Sequence, residues 1–141
     1  EAKEVIPMID IQYTIETEQY GNKTGNRLFI PANIFRKGFT TPDLKQRVQD
    51  IHINYGYLDT DSICLQIPEG YTIESLPKTC QVTSSFGSFS SSLMIKDKEI
   101  CIIHRLLMHR GIYPKEIYKD FLEFRKQIAA QYSSKIILKK E

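Results

Sequence analysis

The 141-residue sequence has no tryptophan, and its three cysteines, Cys64, Cys80 and Cys101, show no CxxC spacing. An odd, unpatterned set of thiols indicates no disulfide framework; at most one bridge can form, and its partners stay open at this level. No apolar run approaches the roughly 20 residues that a membrane-crossing helix needs. A dominant charge sign is missing too, because 19 basic and 17 acidic residues are mixed along the chain for a net charge of +2. That excludes the concentrated basic footprint of a nucleic-acid binder. The first residues, EAKEVIP, include neither a methionine nor a signal peptide, which is read as a processed form or an excised fragment. What remains is 41% hydrophobic and 26% charged, the balance of one globular domain spanning 1–141 that can bury a core without staples.

The dominant positive signal is alternation with period two. In IDIQYTIE, Ile9, Ile11, Tyr13 and Ile15 fall on one face, with Asp10, Gln12, Thr14 and Glu16 on the other. In QDIHINYGY, Ile51, Ile53, Tyr55 and Tyr57 oppose Asp50, His52, Asn54 and Gly56, and SICLQIP groups Ile63, Leu65 and Ile67. One-sided alternation predicts half-buried antiparallel strands.

Turn signals punctuate these runs. YGNKTGN (Tyr20 to Asn26) is expected to fold the first strand back onto RLFIP, and DTD (Asp59 to Asp61) to form a hairpin between two runs. FGS and KDK divide TCQVTS, FSSSLMI and EICIIHRLLM into a meander, and FRKGFTTPDLKQ (Phe35 to Gln46) reads as an excursion between sheets. In IPEGYTIESLP, Pro68 ends one strand because proline donates nothing to a ladder. Glu69 and Gly70 then form a corner, and a short piece through Tyr71 and Ile73 runs to Pro77. One helix is expected over 114–132, where Ile117, Phe121, Phe124, Ile128 and Tyr132 recur at steps of 4, 3, 4 and 4 after Pro114. Ile136, Ile137 and Leu138 in SKIILKK predict a last, interior strand at 134–140, covered on both faces. The expected fold is an antiparallel β-sandwich of about seven to nine strands with the helix packed on it.

Residues that could carry chemistry all have a structural reading that serves better. His104 and His109 are five apart and fall on opposite faces of a strand, and His52 is distant, so no metal site is expected. DTDS opens like a calcium loop, but Ile63 takes the next ligand position and Gly70 the place of the closing glutamate. Cys64 and Cys101 lie among apolar strand residues, the setting of buried, inert thiols. SSFGSFSSS lacks a G-x-S-x-G elbow and reads as the wet face of a hairpin. NKT (Asn22 to Thr24) is a glycosylation sequon in an expected turn, and GNKTGN lacks the Lys-Ser/Thr of a phosphate loop. Catalytic residues, metal and cofactor are therefore all expected to be absent. Tyr20, Tyr71 and Tyr113, near turns, are the residues that could line a shallow ligand site.

The order of IPEGYTIESLP, FGSF, GIYPKEIYKDFLEF and SKIILKK, preceded by GNRLFIP and LKQRVQDIHI, resembles the C-terminal domain of exported bacterial transglutaminase-like multidomain proteins. The resemblance covers nearly the whole chain. It implies a β-rich tail after a papain-like core whose Cys-His-Asp triad has no counterpart here, and a periplasmic or envelope location. The function it implies is a non-catalytic accessory domain whose partner is the neighbouring transglutaminase-like domain of the same polypeptide. The alternative is a binding module for a glycan or an envelope protein, with no nucleic-acid partner and no membrane span in either case.

Overall fold

An alternating strand is stable only where a neighbour shares its hydrogen bonds and a layer covers its apolar face. The computed structural model describes residues 7–35 and 40–141, and within them ten strands form. The first sheet runs β1 (Asn22–Thr24), β2 (Arg27–Pro31), β10 (Lys135–Lys140), β5 (Tyr71–Ser75). The second runs β4 (Tyr57–Gln66), β8 (Glu99–Met108), β7 (Gly87–Lys96), β6 (Cys80–Ser84). A two-stranded ribbon joins β3 (Ile51–Ile53) to β9 (Gly111–Tyr113), and every pairing is antiparallel.

The corner at Pro68 does what its residues require. Gly70 takes a φ of +74°, Tyr71 N–H donates to Pro68 C=O at 3.3 Å, and the chain passes from β4 in one sheet to β5 in the other. The meander β6–β7–β8 also forms as its turn residues predict. Gly87 is forced by a close approach, because a Cβ there would sit 1.9 Å from the Leu107 carbonyl oxygen.

Helix α1 (Tyr118–Tyr132) follows a 3-10 turn at Lys115–Ile117, so the expected helix at 114–132 is α-helical only from Tyr118. It buries Tyr118, Leu122, Phe124, Ile128 and Tyr132, each contributing about 1.5–3 kcal/mol. Its end is closed by Ser133 N–H to Ala129 C=O, 3.0 Å, and Ser134 hydroxyl to Gln131 C=O, 2.7 Å. β10 starts immediately after and lies between β2 and β5, the interior position expected, with Ile136 and Leu138 buried and Ile137 on the other face only half-buried.

Both cores lie on one face of the second sheet. Cross-strand pairing puts Ile100, Ile102, His104, Leu106 and Met108 on that side of β8. The first sheet covers one end, where Ile100 and Ile102 meet Ile30, Ala32, Ile136 and Leu138. Helix α1 covers the other, where Phe86, Phe89, Leu106 and Met108 meet Tyr118, Leu122, Phe124, Ile128 and Tyr132. This is a sandwich with one sheet shared between two lids.

Four local expectations are corrected. IDIQYTIE forms no strand: residues 7–17 run irregularly, because among the described residues no sheet edge pairs with them. QDIHINYGY breaks into β3 and β4 at Asn54–Gly56, because β3 pairs with β9 whereas β4 pairs with β8. DTD is no hairpin; Asp59 and Asp61 stand inside β4 opposite Leu106 and His104, held by a ten-pair ladder. Asn22, expected in a turn, lies in edge strand β1. Within FRKGFTTPDLKQ, residues 36–39 lie outside the described residues, and 40–46 contain no helix or strand.

Candidate functional site

Between the two cores the shared sheet carries polar side chains on its covered face. Asp61 on β4, His104 on β8, Ser91 on β7 and Cys80 on β6 are successive cross-strand partners, forming one row across all four strands. His104 and Ser91 take a phase that their strands otherwise fill with largely apolar residues. His104 is 1% exposed and Ser91 5%.

Aromatic rings hold the imidazole. Phe89 stacks on it with centroids 5.8 Å apart, and Tyr132 meets it edge-on at 5.2 Å. Tyr132 comes from the last turn of α1, so helix docking closes the row. Burial first, then the carboxylates of Asp61 and Asp59, push the Tyr132 phenol well above its ordinary value. Arg125, about two turns earlier on α1, is shifted down by its own burial, partly offset by Tyr57 and Tyr132. Arg125 Nε also donates to Thr41 Oγ1 at 3.4 Å.

Serine, histidine and aspartate in one row are the residue types of acyl transfer, and their roles there depend on a substrate reaching the hydroxyl. Here the helix, Phe89 and Tyr132 lie over that face. Cys80, at the end of the row, has its thiol pushed up by burial, with the Ser91 backbone amide offsetting part of the effect; that is the opposite of nucleophile activation. The arrangement joins two apolar cores through a polar seam. Asp61, His104 and Ser91 were legible only as polar residues standing in apolar phase. His104 interrupting Ile100, Ile102, Leu106 and Met108 is the clearest such signal.

The other residues proposed from sequence fall apart in space. Tyr20 and Tyr71 pack on the sheet-covered core and Tyr113 on the helix-covered one. The Tyr20 hydroxyl donates to Pro31 C=O at 3.0 Å, and Pro31 pairs with Lys135, whereas Tyr71 pairs with Lys140. Five strand residues, about 17 Å, separate those positions. Tyr113 stacks against Phe86 at 4.7 Å. The three tyrosines therefore form no common platform. His52 and His109 are exposed and His104 is buried, so the histidines do not converge.

Cys64 and Cys101 are not the buried, inert thiols expected. They stand opposite each other on the outward face of β4 and β8, joined by a disulfide, and Cys80 is the free cysteine. The outward face of β8 also carries Ile103 and Leu107, so apolar neighbours on both faces make the run look buried, which is why it misleads.

A stretch of exposed apolar residues lies outside both sheets. Ile9, Ile11, Tyr13 and Ile15 are 86%, 61%, 65% and 63% exposed. Among the described residues, no helix is long and apolar enough to cross a membrane.

No curated protein and no solved structure matches the chain. Residues 26–138 match the family described as a domain of unknown function with a solved structure (DUF3858), and nothing in that match links the chain to transglutaminase-like proteins. The matched stretch takes in all of β2, most of β10 and every element between them, so this chain belongs to the DUF3858 family.

Proposed function

We propose that this chain is a non-catalytic accessory domain that follows and supports a transglutaminase-like catalytic domain in a larger exported protein. The observation that carries the reading is the run Ile9–Ile15. It has the alternation of a strand, lies before the matched family region, and exposes its apolar face with no strand partner among the described residues. A strand-like apolar segment of this kind gains most by adding to an open sheet edge of a neighbour, where main-chain hydrogen bonds and alternate side chains are satisfied together. The Cys64–Cys101 disulfide fits an oxidising compartment, in keeping with export. The sealed polar row serves stability in this reading.

The test compares the parent polypeptide with and without this domain. Deletion is expected to lower both the thermal midpoint and the activity of the catalytic domain. Ile11→Asp with Tyr13→Asp in the intact parent is expected to reproduce part of that loss while leaving the domain folded. A parent lacking an upstream Cys, His and Asp core, or one indifferent to the deletion, would overturn the reading.

A further inference from the structure

A second side-chain cluster lies on the outward face of β4 and β8, away from the buried row. Cys64 and Cys101 are direct cross-strand partners there, and Glu99 precedes Cys101 by two residues, which places it on the same face. Glu99 Oε2 is 3.6 Å from Cys101 Sγ. Its other oxygen, Oε1, accepts a hydrogen bond of 3.2 Å from Gln66 Nε2, whose residue is the cross-strand partner of Glu99. The carboxylate is thus aimed at the sulfur and held there from behind, as an outer hydrogen bond holds a metal ligand. One ligand atom each from Cys64, Glu99 and Cys101 lies within 4.8 Å of the others. Met94, across from Cys101 on β7, exposes its thioether on the same face. An open hollow lined by Gln66, Lys96, Asp97, Lys98 and Glu99 adjoins the cluster.

We propose that Cys64, Cys101 and Glu99 form a redox-gated site for a thiophilic divalent cation of the zinc class. As a disulfide the two sulfurs offer no thiolate, and the site is closed. A dithiol reductant opens it: one of its thiolates attacks a sulfur of the bridge, and its second closes onto the first. Two electrons and two protons pass to the protein, giving two cysteine thiols and a cyclic disulfide product. Cation binding then displaces both thiol protons to solvent and forms two metal–sulfur bonds. Glu99 supplies a third ligand and water a fourth.

The geometry accommodates this. Tetrahedral zinc with bonds of about 2.3 Å to sulfur needs the two sulfurs about 3.8 Å apart. Directly opposed strand residues reach that by side-chain rotation alone. Ten cross-strand pairs hold β4 against β8, so the sulfurs stay opposed after the bridge opens. Three negative ligands outweigh a doubly charged cation, and Lys96 and Lys98 beside the hollow offset the excess. A cross-link that only braced the sheet would need no carboxylate directed at it.

The test uses the full chain carrying Cys80→Ser, reduced with a phosphine, desalted without oxygen and titrated with Co²⁺. The expected result is one Co²⁺ per chain with a thiolate-to-cobalt charge-transfer band and the visible bands of tetrahedral cobalt. Zn²⁺ should bleach both, and the oxidised protein should show neither. Glu99→Gln should weaken Co²⁺ binding by about 10–100-fold with an unchanged circular-dichroism spectrum and melt. Cys64→Ser, which cannot form the bridge, should lose the band. A folded, reduced chain that takes up no Co²⁺ would overturn the proposal. So would unfolding on reduction, since the site needs its ladder intact, and so would an affinity indifferent to Glu99→Gln.

Discussion

The two cores share one sheet and are built from different side chains. Under the first sheet, the buried residues are Ile30, Ala32, Ile100, Ile102, Ile136 and Leu138, all aliphatic. Under α1, Phe86, Phe89, Tyr118, Phe124 and Tyr132 do most of the filling. Two sheets face each other about 10 Å apart across interdigitating side chains, a gap that branched aliphatics span. A helix laid over a twisted sheet leaves wider, uneven spaces that rings fill, and the edge-on contacts Phe86–Phe121 at 5.0 Å and Phe89–Tyr132 at 5.6 Å show that filling. The shape of the lid decides the chemistry of the core beneath it. The polar row stands where the lids meet, at a place neither of them packs with its own kind.

That contrast breaks hardest in the aromatic core. Phe89→Ala is expected to cost about 3–5 kcal/mol in denaturant unfolding, whereas Ile136→Val in the aliphatic core costs about 0.5–1.5. Amide exchange should rise first in α1 for the former and in β2 and β5 for the latter. The double variant sharpens the comparison. If the lids act independently across the seam, the two losses add within about 0.5 kcal/mol; a larger coupling would mean the cores form one cooperative unit.

The next effect comes from the opposite face. Cys64 and Cys101 close a loop with a sequence separation of 37, and opening the bridge should cost about 2–4 kcal/mol through the unfolded chain. Both core variants should lose similar further stability on reduction, because the bridge touches neither core. A loss confined to one of them would tie the outer cross-link to that lid.

How far the sequence reaches follows the same division. Local signals placed the meander and the corner at Gly70 through their turn residues, β10 through its continuous apolar run and the helix through its stripe, because each element's pattern matches the layer that covers it. It failed where covering is decided from elsewhere. Ile9 to Ile15 alternate as well as any strand, yet alternation cannot supply the neighbouring strand. Asp59 and Asp61 look like a turn because both are polar and lie close together. They are held in β4 by the ladder to β8, and their charge acts on Tyr132, far along the chain. The Cys64–Cys101 pairing needed a register that no local pattern contains.

The seam gives a smaller, pH-dependent effect. The folded Tyr132 phenol holds its proton far above the ordinary 10.0 that applies to the unfolded chain. Its contribution is therefore complete below about pH 10 and lost as pH rises from there toward the folded value, since the unfolded chain releases a proton that the folded chain keeps. Tyr132→Phe is expected to cost about 1 kcal/mol at neutral pH through its lost polar contacts. It should also flatten alkaline unfolding by up to one proton, about 1.4 kcal/mol per pH unit. Equal alkaline slopes in both proteins would mean that the phenol ionises freely and the row is wet.

The smallest effect belongs to the outer surface of the first sheet, where Arg27 Nε and Nη2 grip Glu74 at 2.6 and 2.7 Å. The paired guanidinium holds the Glu74 carboxyl below its usual range, and Glu74 raises Arg27 in return, both through the hydrogen bonds first. Both groups are open to water, so screening and side-chain entropy consume most of the attraction. A depressed carboxyl contributes above its unfolded value and ceases to as pH falls through the folded one. Arg27→Ala should accordingly leave the melting midpoint almost unmoved at neutral pH, while a carboxyl-resolved NMR titration shows Glu74 moving up toward an ordinary glutamate. A large drop in midpoint would show that the pair clamps β2 to β5 across β10, and would make the outer face of that sheet a third contributor to stability beside the two cores.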